Sequence, residues 1–156
     1  MNKRDPQTAE HAEAMSDHCW TWRSERVIAS DASAARATLD ELLAQFNSKN
    51  WSQHEVFGVH LAMEEALMNA IKHGNKLDIN KSVRVSCRVS PDKVRIEIAD
   101  QGPGFDPASV PDPTLEENLE VASGRGIMLM RTFMSHVEYT GTGNCVIMEK
   151  ARTAAA

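Results

Sequence analysis

Glu65, Asn69 and His73 follow one another at four-residue intervals, a spacing that stacks a carboxylate, a carboxamide and an imidazole along one side of an α-helix. Val59, Ala62, Met63, Ala66 and Ala70 fall at the spacing of an adjacent apolar stripe if residues 56–72 form that helix. Polar groups beside a buried edge are costly to desolvate without partners, so the pattern predicts a wet or liganded cleft. A carboxamide oxygen is a hard, neutral ligand that suits Mg²⁺, an ion that takes few protein groups and leaves phosphates and water to complete its shell. Glu65, one turn earlier than Asn69, is placed to accept or orient the proton of an attacking hydroxyl, whereas Glu64 is rotated away by about 100°. The plainer reading of the stripe is a solvated helix face with an i,i+4 hydrogen bond. For His73 it is a helix-end imidazole resting on its own carbonyls.

Two further segments carry unusual residues. In Asp100-Gln101-Gly102-Pro103-Gly104-Phe105, an ionised carboxylate at a strand end is an acceptor-only group that suits the exocyclic amine of adenine. Gly102 and Gly104 would let backbone lie against a flat base or sugar. In Ser123-Gly124-Arg125-Gly126, glycines at a helix start would present free N–H groups and the positive end of the helix dipole to a triphosphate, with Arg125 adding a charge-assisted bond. Each segment alone also reads as an ordinary turn or helix start, but a nucleotide accounts for all three. No G-x-x-x-x-G-K-[ST] run, protein-kinase lysine or catalytic-loop signature is present, so a P-loop does not hold it. His54 and His60 do not make an H-E-x-x-H zinc motif, and Ser24 and Cys145 lack a nucleophile's surroundings.

These residues must be positioned by a modest chain. Its 156 residues set an expectation of one domain over 19–150, between a flexible leader (1–18) and a tail (151–156). A net charge of -5 argues against general attraction to nucleic acid or an anionic membrane. Cys19, Cys87 and Cys145 show no C-x-x-C spacing, and with no signal peptide or membrane-length apolar run the expected setting is cytoplasmic. Alternation predicts strands at 20–30, 82–89, 94–99, 136–140 and 144–150. Helical patterns cover 34–46, a segment from about Ser52 to a left-handed cap at Gly74, and a short helix after Gly126. The acidic, proline-punctuated stretch 108–123 reads as a lid or loop. This order favours an α+β fold, a mixed but mostly antiparallel sheet with helices on one face.

With these motifs in hand, the sequence resembles the anti-sigma-factor serine kinases of the superfamily of histidine-kinase-like (GHKL) ATPases. Glu65-Ala66-Leu67-Met68-Asn69-Ala70-Ile71-Lys72-His73-Gly74 is similar to the family's N box, Asp100 to Phe105 to its first glycine box, and Ser123 to Met134 to its second, in family order. The resemblance spans about residues 20–150 and implies a two-layer α/β sandwich of the Bergerat type that binds ATP and Mg²⁺. It implies Glu65 as catalytic base, Asn69 as magnesium ligand and Asp100 as adenine contact, with Gly102, Gly104, Gly124 and Gly126 shaping the nucleotide site and His73 and Arg125 beside it. Asn144 stands where the family usually has threonine, which unsettles a water-bridged adenine contact. The resemblance further implies a homodimer that sequesters a sigma factor and phosphorylates a serine of a STAS-type anti-anti-sigma antagonist. The alternative is a nucleotide-gated or catalytically silent binding module.

Overall fold

A computed structural model describes residues 19–104 and 122–153, with side chains of the last helix described from Gly126 onward. The leader 1–18, the stretch 105–121 and the last three residues lie outside it. Five strands, β1 (Trp22–Ala29), β2 (Ser82–Val89), β3 (Lys93–Ala99), β4 (His136–Thr140) and β5 (Cys145–Ala151), form one sheet in the order β1-β2-β3-β5-β4. Every pairing is antiparallel, so the mixed sheet expected from the sequence contains no parallel pair among the described residues.

Period-two alternation divides the faces. Val83, Val85, Cys87 and Val89 of β2, Val94, Ile96 and Ile98 of β3, and Val146 and Met148 of β5 are buried on the inner side. The outer side carries charge: Glu149 pairs with Lys93 at 2.7 Å and with Arg95 at 2.6 Å. One apolar face requires one covering layer. Helices α1 (Ala32–Ser48), α2 (Gln53–Met68) and α3 (Ala122–Phe133) supply it.

Local sequence chemistry sets the helix limits. Asp31 caps α1 by accepting from Ser33 N–H, and Ala35, Leu39, Leu42 and Phe46 face the sheet. Helix α2 starts with a reciprocal capping box between Ser52 and Glu55. Val59, Ala62, Met63, Ala66 and Ala70 are all buried, as their spacing predicts. Fully burying side chains such as Leu42 and Phe46 contributes about 1.5–3 kcal/mol each.

Two expectations need correction. Gly74 is not a left-handed cap. The chain widens into a π-helical turn over Asn69–Gly74, closed by the Asn75 N–H donating to the Ala70 carbonyl at 2.8 Å, and the positive φ values fall on Lys76 and Leu77. The widened turn buries Ala70 and Ile71, and Ala70, His73 and Gly74 line one cavity. Within the expected tail (151–156), the described residues 151–153 are held in place. Ala151 belongs to β5, and the Arg152 guanidinium lies 5.4 Å from the Trp51 ring centre while donating to the carbonyls of Lys49, Asn50 and Pro91. Thr153 N–H donates to Glu55, itself buried, at 3.0 Å. Arg152→Ala is expected to destabilise the fold by about 1–3 kcal/mol in urea denaturation, whereas a loose tail predicts no change.

Candidate functional site

The inward side of β3 continues past Ile98 to Asp100, and the polar stripe of α2 ends above it, so the two segments meet at one end of the layer pair. Between them lies a cavity of about 230 Å³. Asn69, His73, Asp100, Gly104 and Asn144 line it, so residues far apart in the chain open onto the same space. Its apolar wall is Ala66, Ala70, Ile98 and Val146, with Ile98 and Val146 directly paired across β3 and β5. A flat, largely apolar ring with one polar edge fits such a slot.

Asp100 is held from several directions. Its backbone N–H donates to the Asn144 carbonyl at 2.9 Å, its carbonyl accepts from Asn144 Nδ2 at 3.0 Å, and its carboxylate Oδ1 accepts from Gly102 N–H at 2.8 Å. Burial pushes the Asp100 carboxyl above its ordinary value, partly offset by the Gly102 N–H and the charge of Lys81. Gly74 has no Cβ, and one there would collide with the Asp100 carboxylate. Gly102 therefore acts through its N–H and its close approach to the Gly74 carbonyl, outside the cavity lining. Gly104 has φ of 76° and lies against the Thr142 carbonyl, which ties this segment to the β4–β5 turn.

At the other end, Glu65 and Asn69 are half-buried and face α3. A Cβ on Gly126 would stand 2.9 Å from Glu65 Oε2 and 3.0 Å from Asn69 Nδ2. This revises the helix start read from the sequence. Helix α3 begins at Ala122, so Gly124 and Arg125 lie in its first turn, where N–H groups have no partner within the helix, but Gly126 lies one residue beyond. Gly126 instead clears space for the carboxylate and carboxamide. The Arg125 side chain lies outside the described residues. Gly126→Ala is expected to fold normally, because the colliding atoms are side-chain ends, yet to slow any reaction that depends on Glu65 by about 10²-fold. Thermal melting beside a turnover assay checks this, and an unchanged rate contradicts it.

The Asn69 amide nitrogen is buried without a hydrogen-bond partner among the described residues, and an orphaned carboxamide at a cavity edge fits a ligand-binding role. Among those residues no three His, Cys, Asp or Glu side chains gather into a metal cage. Mg²⁺ on a phosphate chain needs few protein groups, and the carboxamide oxygen of Asn69 is a hard donor of the kind it takes. Gly74 and Pro103, which the sequence reading holds only as motif members, and Tyr139 and Gly143, which it gives no part in the site, also line the cavity. Strand alternation carried a signal for Ile98, two residues before Asp100; nothing in the sequence marked Tyr139. Burial raises the Tyr139 hydroxyl to about 12, so it stays a neutral phenol.

Fold and cavity together define a two-layer α+β domain with a ligand slot between the sheet end and the helix layer. The chain belongs to the family described as the histidine kinase-like ATPase domain, whose model matches residues 28–150. It is 31% identical over 122 residues to an anti-sigma F factor of Clostridium perfringens, covering 74% of this chain and 84% of that protein. It is 29% identical over 109 residues to the serine-protein kinase RsbW of Bacillus subtilis, covering 64% and 67%. It is 32% identical over 91 residues to the serine/threonine-protein kinase BtrW of Bordetella bronchiseptica, covering 57% and 64%. Among solved structures, the RsbU and RsbW domains of a Mycobacterium tuberculosis protein superpose with a TM-score of 0.57 at 15% identity, over 85% of this chain and 32% of that one, a likeness of fold. No helix among the described residues is long and apolar enough to cross a membrane.

Proposed function

We propose that this chain is an ATP-dependent protein-serine kinase that also acts as an anti-sigma factor. The observation that carries the reading is that Asn69 and Asp100 open onto one cavity, with Glu65 beside Asn69 and Gly126 of α3 packed against both. In this reading the Asp100 carboxylate accepts from the adenine amine, and the ring lies between the paired Ile98 and Val146 of the sheet and Ala66 and Ala70 of the helix side. The N–H groups at the start of α3 receive phosphate. Glu65 takes the proton of the incoming serine hydroxyl, and the packed glycine beside it keeps the carboxylate within reach. Mg²⁺, when bound through Asn69, supplies neutralisation of the charge on the transferring phosphate. Relatives named anti-sigma F factor and serine-protein kinase support this assignment.

The expected partners are a sigma factor, held inactive, and a STAS-type antagonist that is phosphorylated on serine, with the kinase working as a homodimer in a reducing, cytoplasmic setting where its cysteines remain free. The test is intact-mass spectrometry of a STAS-type antagonist after incubation with this chain, ATP and Mg²⁺. The proposal expects a gain of one phosphate on a serine. Stable binding of the antagonist with no phosphate gained contradicts the kinase and leaves a silent binding module.

A further inference from the structure

Gly74 is followed by Asn75, which is completely buried, yet a carboxamide is an expensive group to bury without partners. Every polar atom of its side chain is used. Nδ2 donates to Ser30 Oγ at 3.0 Å and to the Ser82 carbonyl at 2.9 Å, while Oδ1 accepts from the Gln101 N–H at 2.8 Å. A carbonyl can only accept and a backbone N–H can only donate, so these partners fix the orientation of the amide without ambiguity. Ser30 in turn donates to the Lys81 carbonyl at 2.7 Å, and the Ser82 N–H donates to Gln101 Oε1 at 2.8 Å. The network joins the end of β1, the start of β2 and the residue that follows Asp100.

We propose that Asn75 is a positioning residue that sets the selectivity of the site for a nucleobase bearing an exocyclic amine, by fixing the backbone immediately after Asp100. The inference rests on the reading of Asp100 as the adenine contact. Asn144 already fixes the N–H and carbonyl of Asp100 from the β5 side. Asn75 fixes the Gln101 N–H from the other side, and together they leave the carboxylate little freedom to follow a misplaced base. Both donor hydrogens of Asn75 are committed, its Oδ1 is engaged by the Gln101 N–H, and the residue is absent from the cavity lining. Its effect must therefore run through Asp100.

The test compares the binding of ATP with that of purine riboside triphosphate, which lacks the amine, by calorimetry on wild type, Asn75→Ala, Ser30→Ala and Asp100→Asn. Wild type is expected to favour ATP by at least about tenfold, the value of a hydrogen bond to a charged group. Asn75→Ala is expected to bring the ratio to about twofold by weakening ATP, with the amine-free nucleotide nearly unaffected, and Ser30→Ala to produce a smaller change of the same kind. A purely structural role weakens both nucleotides by the same factor, and that result, or an unchanged ratio in Asn75→Ala, overturns the proposal. If Asn75→Ala fails to fold, Ser30→Ala, which keeps the Gln101 contact but removes one anchor, decides by the same ratio. Wild type with no preference overturns the adenine reading itself and this inference with it, whereas loss of preference in Asp100→Asn alone overturns only the inference.

Discussion

Glu65→Gln is expected to lower phosphoryl transfer by about 10²–10⁴-fold, the usual contribution of a positioned general base, while ATP affinity stays unchanged. Glu65 is half-buried, does not line the cavity, and packs against Gly126 of α3, which the proposed reading makes the phosphate end, away from the base. Glutamine keeps the size and much of the packing of glutamate but cannot take a proton at neutral pH. A loss confined to kcat marks an interaction made only in the transition state. Single-turnover transfer and equilibrium ATP binding, measured on the same protein, separate the two effects. A loss of ATP affinity as large as the loss of rate would reassign Glu65 to binding.

For Asp100→Asn the expected loss is in binding, because the carboxylate faces the opposite end of the cavity. A hydrogen bond to a charged group is worth about 1.5–3 kcal/mol, so ATP should bind about 10- to 100-fold more weakly. The free protein should not suffer. Burial raises the Asp100 carboxyl above its ordinary value, so the protonated form is the one that the fold favours. That contribution is fully present below the unfolded-state value and is lost as pH rises through the raised folded-state value. At neutral pH the ionised side chain therefore weighs against folding, and the neutral amide should leave the melting temperature of the free protein equal or higher. In wild type, ATP affinity should decline as pH falls through the raised Asp100 range, since a protonated carboxyl is no longer an acceptor-only group, and Asp100→Asn should lack that decline. Titration calorimetry across pH, beside thermal melts without nucleotide, checks both signs. A destabilised variant with wild-type ATP affinity would make Asp100 a structural residue.

The frame of the site was legible because it follows from periodicity. The buried stripe of α2 and the alternation of β2 and β3 are dictated by apolar spacing alone, and they carry Asn69 and Asp100 to the same end of the molecule. What escaped depends on contacts between distant backbones. Gly74 reads as a helix cap from its neighbours, but its missing Cβ is required by Asp100. Gly126 reads as a phosphate cradle, but its missing Cβ is required by Glu65 and Asn69. Asn75 reads as no more than part of a helix end because its three side-chain partners lie just after β1, on β2 and on the segment after β3. The π-helical turn has no signature in residue type, since it is a response to packing around Ala70 and Ile71. Arg152 reads as part of a tail because its ring and carbonyl partners lie on other segments.

Every functional step above depends on which way the nucleotide lies. A crystal structure of this chain with a non-hydrolysable ATP analogue and Mg²⁺ tests that orientation directly. The account predicts the adenine amine within hydrogen-bond distance of the Asp100 carboxylate and the metal on the Asn69 carboxamide oxygen, with Glu65 facing the terminal phosphate. A base seated at the Asn69 end, or a nucleotide bound outside the cavity, would contradict it.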